Sequence, residues 1–108
     1  ATSAPPLDGA VWLNPPYGRA IKAFMLRALE QSRKHRTVVA CLVPARTDTA
    51  WFQAVAWQAS AWLLIRGRVK FGGSSNGAPF PSIVIVFDGT EPADGSPVVL
   101  PLDRPAGA

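Results

Sequence analysis

The residues Asn14, Pro15, Pro16 and Tyr17 place an amide, two rigid rings and an aromatic face at four consecutive positions. The Asn14 amide oxygen and the Pro15 carbonyl can together accept the two hydrogens of a planar amino group. Proline restricts the backbone and so fixes the direction of both acceptors. Tyr17 offers a face on which a heteroaromatic ring can stack. The tetrapeptide therefore predicts a pocket for an amino group on a flat ring, although the same residues are also common in turns that end a strand.

The elements predicted around the tetrapeptide alternate between strands and helices. Apolar residues at helical spacing predict helices at 19–34 and 48–58, and Thr47 with Asp48 suits the start of the second. Because no helix separates the last two strands, they are expected to pair as an antiparallel hairpin. The order β-α-β-α-β-β predicts an α/β fold: half of a doubly wound, Rossmann-like sheet with an antiparallel edge hairpin. Continuous apolar runs predict the four strands, at residues 10–13, 37–43, 62–65 and 82–87.

Composition limits the class of protein. The 108 residues allow one domain, predicted at 10–88, with an irregular segment at 1–9 and a Pro/Gly-rich tail at 89–108. An apolar content of 48% excludes a chain that is disordered throughout. The single cysteine excludes a disulfide scaffold and a Cys-rich metal site, so no metal is expected. No apolar stretch is long enough to span a membrane, and the net charge of +4 comes from a basic middle of the chain.

Two groups of cations have alternative interpretations. Residues 33–36, Arg-Lys-His-Arg, either complement the negative end of a helix dipole or form a DNA-binding edge. Arg66, Arg68 and Lys70 alternate along the chain and so share one face of a strand, which is either a solvated edge or a ridge that faces phosphates. Cys41 lies in the middle of an apolar run and is interpreted as a core residue rather than a reactive thiol.

The tetrapeptide resembles the signature (Asp/Asn/Ser)-Pro-Pro-(Tyr/Phe/Trp) of S-adenosylmethionine-dependent methyltransferases that act on amino nitrogens. Three longer blocks, in their order along the chain, resemble the phage-type DNA N6-adenine methyltransferase (Dam) family. They are Val11-Trp-Leu-Asn-Pro-Pro-Tyr-Gly18, Leu42-Val-Pro-Ala-Arg-Thr-Asp-Thr49 with Trp51-Phe52, and Arg66-Gly-Arg-Val-Lys-Phe-Gly-Gly73 with Ala78-Pro-Phe-Pro-Ser82. The blocks cover about residues 10–88 and are more specific than the tetrapeptide, which enzymes that methylate RNA bases or protein glutamine also share.

The resemblance implies methyl transfer from S-adenosylmethionine to the exocyclic N6 of adenine in DNA, in the cytoplasm of a bacterial host of the phage or prophage. In that reaction Asn14 and the Pro15 carbonyl accept hydrogen bonds from N6, with Pro16 part of the same motif, and Tyr17 stacks on a base that has left the duplex. Four cations in the family-like blocks are the candidates for phosphate contacts. They are Arg46, Arg66, Arg68 and Lys70.

One departure concerns the S-adenosylmethionine pocket, which the first strands of such enzymes form. The nine residues before residue 10 cannot form these strands, and no glycine-rich strand-to-helix turn precedes Asn14. The chain is therefore expected to be the C-terminal part of a methyltransferase, with an incomplete cofactor pocket and without activity on its own. Two alternatives stay open: a truncated module that binds nucleic acid without catalysis, and an amino-methyltransferase that acts on RNA or on protein glutamine.

Overall fold

The computed structural model describes residues 11–15, 18–67, 80–90 and 95–103. Two helices and five strands alternate in the order that the sequence predicts, with one additional strand at the end. In the described part of the chain, neither helix has the length and apolar character needed to cross a membrane. The elements are β1 (Val11–Leu13), α1 (Ile21–His35), β2 (Val39–Pro44), α2 (Ala50–Val55), a 3₁₀ turn (Ala56–Gln58), β3 (Ala61–Ile65), β4 (Ser82–Phe87) and β5 (Val98–Leu102).

The strands form one mixed sheet in the order β1-β2-β4-β3-β5. β1 is parallel to β2, and β5 is parallel to β3. β4 is antiparallel to both of its neighbours, β2 and β3, so it alone among the described strands runs in the opposite direction. The expected antiparallel pairing of the last two predicted strands is therefore confirmed. The expected edge position is wrong, because β4 lies at the centre of the sheet and β5 extends it beyond β3.

Both helices pack on one face of the sheet. The connections from β1 to β2 and from β2 to β3 advance across the sheet in the same direction, and right-handed connections of this kind place their helices on the same side. Alternate strand residues face these helices and form the core with them. The fully buried side chains of this core include Met25, Cys41, Phe52, Ile85 and Phe87. Burial raises the pKa of the Cys41 thiol to about 12, in agreement with a core residue.

The second helix is shorter than the sequence predicts. It begins at Ala50, and residues 56–58 form a 3₁₀ turn, so the predicted helix at 48–58 is wrong at its start and in its last turn. The N-cap is Thr49 rather than Thr47, and its hydroxyl donates to the Arg46 carbonyl instead of capping an amide of the helix. The Thr49 N–H donates to the same carbonyl, and these two hydrogen bonds hold the loop that joins β2 to α2, which forms one wall of the site described below.

The strand β5 lies within the segment 89–108 that the sequence predicts as an irregular tail. A proline in the run Val98-Val-Leu-Pro-Leu102 argues against a strand, but at a sheet edge it is tolerated. The Val98 N–H donates to the Ser60 carbonyl, and the Leu102 carbonyl accepts from the Arg66 N–H. Backbone groups alternate along a strand, so the nitrogen of Pro101 faces away from β3, where its missing hydrogen breaks no bond.

Gly89 fixes the turn after β4 against the end of α1. Its φ is +90°, and a Cβ at this position would lie 2.9 Å from the Ser32 carbonyl oxygen. We expect Gly89→Ala to lower the free energy of unfolding by about 3 kcal/mol, from backbone strain and overpacking together. Gly95 is the matched control, because its φ is +80° but a Cβ would meet nothing within 4 Å. Gly95→Ala should cost about 1 kcal/mol in urea unfolding; equal losses in both variants would contradict the packing at Gly89.

Candidate functional site

The parallel strands β1, β2, β3 and β5 end on the same side of the sheet, here called the carboxyl edge. Asn14 follows β1, Arg46 follows β2 by two residues, Arg66 follows β3 and Asp103 follows β5. β4 runs in the opposite direction, so it begins at this edge, directly after Phe80 and Pro81. In open α/β sheets, ligands bind beyond the carboxyl ends of the strands. The carboxyl edge therefore gathers polar, cationic and aromatic residues where this fold class binds its ligands.

The first two residues of the tetrapeptide differ in exposure. Pro15 is buried and anchors the turn, whereas the Asn14 side chain is exposed beyond the last residue of β1. Within the described part of the chain, no residue forms a hydrogen bond with the Asn14 amide. Its oxygen is thus available to an external donor. Pro16 and Tyr17 lie outside the described residues, so their predicted roles stay predictions.

A cleft of about 350 Å³ opens beside the tetrapeptide. The start of α1, the end of β2, the start of α2 and the residues before β4 form its walls. Its volume falls within the range of small-molecule pockets, and most of its lining is apolar or aromatic. The described residues that line it are Gly18, Ile21, Pro44, Arg46, Thr49, Trp51 and Phe80. Because Gly18 directly follows Tyr17 in the sequence, this cleft adjoins the tetrapeptide.

Phe80 and Arg46 form one side of the cleft. The guanidinium carbon of Arg46 lies 5.5 Å from the centroid of the Phe80 ring, a distance typical of a cation–π contact. The sequence predicts Arg46 as a phosphate contact; the structure places it at the cleft, with an exposed side chain that crosses an aromatic ring. Phe80 was not predicted as a site residue. The signal for it was an aromatic residue between two prolines immediately before a strand.

Arg66 lies farther along the carboxyl edge. Because β4 separates β3 from β2, the ends of β2 and β3 are two strand spacings apart, roughly 10 Å. The Arg66 Nε lies 3.5 Å from an Asp103 carboxylate oxygen, and both side chains are 83% exposed. An exposed ion pair of this kind is easily exchanged for another anion. The predicted cations Arg68 and Lys70 lie outside the described residues.

The basic residues 33–36 lie at the opposite edge of the sheet. They form the last turn of α1 and its C-cap, where Arg36 adopts a left-handed conformation with φ of 49°. The position of Gly89, which follows the carboxyl end of the antiparallel β4, confirms that this end of α1 lies away from the carboxyl edge. The helix-dipole interpretation of these cations therefore agrees with the structure.

A second, mostly apolar groove of about 500 Å³ lies between β1 and α1. Val11, Phe24 and Val39 line it, together with Arg27 and His35. Among the described strands, β1 has a neighbour on one side only. Val11 and Trp12 are 42% and 60% exposed, which is unusual for large apolar side chains in a strand. Among the described strands, β1 is thus an edge of the sheet, and its large apolar side chains are exposed.

The described residues contain no group of three or more His, Cys, Asp or Glu side chains that could hold a metal ion. Cys41 does not serve as a nucleophile, because its thiol is fully buried and its pKa is raised. The chemistry of the carboxyl edge in the described segments is therefore that of amide and carbonyl acceptors, aromatic faces and cations.

Comparison with known proteins agrees with this chemistry. The family model of the DNA N-6-adenine-methyltransferase (Dam) matches residues 4–94, most of the chain. Comparison of the chain with curated proteins and with solved structures gives no match. The match includes the tetrapeptide, Arg46, Phe80 and every strand that contributes to the cleft. The chain thus belongs to the DNA N-6-adenine-methyltransferase (Dam) family, and DNA is the substrate that this membership implies.

Proposed function

We propose that this chain carries the target-base part of an S-adenosylmethionine-dependent enzyme that methylates the N6 amino group of adenine in DNA. The observation that carries the proposal is the position of Asn14 and Pro15. They follow β1 directly at the carboxyl edge, and the cleft lined by Trp51 and Phe80 lies beside them. Acceptors for an amino group and aromatic faces for its ring thus occur at one place in a family that acts on DNA adenine.

Asn14 and Pro15 have a direct chemical role in this proposal. The N6 nitrogen of adenine is conjugated with the ring, so its lone pair is a poor nucleophile. The Asn14 amide oxygen and the Pro15 carbonyl accept hydrogen bonds from its two hydrogens, which favours the geometry in which the lone pair stays on nitrogen. Pro16 fixes the direction of the turn, and Tyr17 stacks on the base, as the motif implies.

The cleft receives the adenine after it leaves the duplex. Extrusion costs a few kcal/mol, and stacking of a base on an aromatic ring returns about 1–3 kcal/mol. Phe80 provides such a ring in the described part of the cleft. Arg46, whose guanidinium lies over that ring, reaches the phosphates next to the extruded nucleotide. Arg66, Arg68 and Lys70 contact phosphates farther along the strand.

The described residues do not fit S-adenosylmethionine. Its ribose hydroxyls and cationic sulfonium suit acidic side chains. The described linings of the cleft beside the tetrapeptide and of the groove between β1 and α1 instead contain arginine and no carboxylate. We derive no step through the cofactor from these residues. We place its pocket on residues that join the sheet at the open edge of β1, beside Asn14.

Two features support a Rossmann-like sheet that continues at β1. The connections that carry α1 and α2 both lead away from β1 in one direction, so a half that winds in the opposite direction would create a topological switch point at β1. The sheet face opposite to both helices is also apolar, as expected for a sheet that is covered on both sides. That face includes Trp12, Ala40, Leu42 and Val84.

The test is ultraviolet crosslinking of tritiated S-adenosylmethionine to this chain and to a longer form that is extended at its N-terminus. We expect labelling of the longer form alone, with methyl transfer to N6 of adenine in duplex DNA. Labelling of the short chain would overturn the assignment of the cofactor pocket, and labelling of neither would favour a module that only binds nucleic acid. Transfer of label to RNA or to protein glutamine would overturn the DNA substrate.

A further inference from the structure

Two cations next to the tetrapeptide belong to none of the roles described above. Arg19 and Lys22 are exposed and lie at the start of α1. Each directly follows a residue that lines the cleft, Gly18 and Ile21 respectively. They therefore lie at the cleft margin on the side of the tetrapeptide, whereas Arg46 lies on the side of the β2–α2 loop.

Local stability does not account for these two cations. The N-terminus of a helix carries a partial positive charge, so cations in this region are unfavourable, and acidic residues are the usual choice. The first turn of α1 contains no acidic residue, and its N-cap, Ala20, supplies no side-chain hydrogen bond. Residues 33–36 at the other end of the same helix show the favourable arrangement. Arg19 and Lys22 thus act against the helix dipole, which points to a role in binding.

The charges around Arg19 and Lys22 leave both cations available to bind an anion. Within the described segments, no carboxylate forms an ion pair with Arg19 or Lys22. The described acidic residues next to the carboxyl edge are Asp48 and Asp103, and Asp103 is paired with Arg66. Among the described residues, the margin of the cleft beside the tetrapeptide therefore carries positive charge.

We propose that Arg19 and Lys22 bind the backbone phosphates on one side of the extruded adenine, opposite the phosphates that Arg46 contacts. This inference rests on the proposed function, because it assigns a DNA-contact role to residues at the same cleft. Cations on two sides of the cleft hold the strand on both sides of the target nucleotide, so the sugar stays over the cleft while the base enters it. They carry no sequence preference, since phosphates are the same at every position.

The test is fluorescence anisotropy with a labelled 20-base-pair duplex, measured over a series of KCl concentrations. Arg19→Ala/Lys22→Ala should raise the Kd about ten-fold at low salt and reduce the slope of log K against log[salt] by about 2. The same variant should unfold at an unchanged or higher temperature, because an unfavourable interaction with the helix dipole is removed. A purely structural role would instead lower the unfolding temperature.

The matched control, Lys34→Ala/Arg36→Asn, removes the same charge at the opposite edge. Asparagine tolerates the left-handed conformation of residue 36, and this control should keep the Kd within about two-fold. Equal weakening by both double variants would mean that only net charge matters and would overturn the inference. If Arg46→Ala/Arg66→Ala loses affinity while Arg19→Ala/Lys22→Ala keeps both affinity and slope, the inference fails and the proposed function stands. Absence of duplex binding by the unsubstituted chain would overturn both.

Discussion

Asn14→Ala is expected to lower the rate of the proposed DNA methylation about 10²- to 10³-fold, the usual loss when one hydrogen-bonding group that acts on the reacting atom is removed. The effect should fall on kcat, because the role proposed for the amide is to orient the amino group, whereas phosphate contacts supply most of the affinity for DNA. Asn14 is exposed and forms no hydrogen bond with another described residue, so the fold should stay intact. The measurement is incorporation of tritiated methyl groups into adenine-containing duplex, together with the unfolding temperature.

The matched variant for this position is Asn14→Asp. A carboxylate keeps an acceptor oxygen in the same place, and Asp is one of the residues that the methyltransferase signature allows. We expect this variant to retain much more activity than Asn14→Ala. If Asn14→Ala retained full activity, the acceptor role of Asn14 would be wrong. If both variants lost activity and unfolded at lower temperature, Asn14 would have a structural role instead.

The second large effect concerns stability. Phe52 is fully buried, and its ring meets those of Trp51 and Trp62 edge to face, with centroids at 5.4 and 5.0 Å. Phe52→Ala should lower the free energy of unfolding by about 3–5 kcal/mol, from lost burial, the cavity and two aromatic contacts. This is a large part of the roughly 5–15 kcal/mol that stabilises a typical domain. Urea unfolding followed by tryptophan fluorescence measures it directly.

Two further variants keep the Phe52 prediction testable if Phe52→Ala does not fold. Phe52→Leu conserves much of the volume and should cost less than half as much as the alanine variant. Leu26→Ala removes an apolar side chain from α1 that is 42% exposed, and it should change the free energy of unfolding by less than about 1 kcal/mol. A loss for Phe52→Ala no larger than that for Leu26→Ala would contradict the central position of Phe52 in the core. Trp51 lines the cleft and contacts Phe52, so Phe52→Ala should also disturb the wall of the cleft that Trp51 forms.

The sequence predicts the elements that have strong periodicity. The apolar stripe of Ile21, Met25 and Leu29 locates α1, and all three side chains are buried against the sheet. Uninterrupted apolar runs locate β2 and β4, because both strands are buried on the helix face and largely on the other face too. Local physical signals of this kind are contained in short stretches of sequence.

Position within the sheet was not predictable in the same way. The local sequence of β4 does not predict its position between β2 and β3, because strand order depends on contacts between distant segments. β5 is exposed along its whole length and contains Pro101, so neither burial pattern nor composition marks it as a strand. In the 3₁₀ turn that follows α2, Trp57 packs against Trp62 with ring centroids 4.7 Å apart, and local propensity does not include such contacts between distant residues.

The residues of the candidate site differ in the same way: some have a local sequence signal, and others depend on the order of the strands. Asn14 and Pro15 can be proposed as site residues from the sequence alone, because four adjacent residues supply both acceptors and the turn, and their roles stay predictions. Phe80 was missed, because its local signal does not show that the direction of β4 returns the chain to the carboxyl edge and brings this residue to the cleft. The sequence predicts Arg46 as a phosphate contact, but its contact with the Phe80 ring depends on that same return of the chain.

The central position of β4 has a consequence for how the chain folds. β2 and β3 are separated by β4 and so have no hydrogen bonds with one another, although β2 and β3 come earlier in the chain. During synthesis the sheet therefore cannot close until residues 82–87 have left the ribosome, and the last of the central strands to appear joins two existing parts. Pairing over such sequence separations is slow relative to local helix formation. Folding of this domain should thus be late and cooperative. The β1–β2 pair and α1 can join β3 in one sheet only after β4 has formed between β2 and β3.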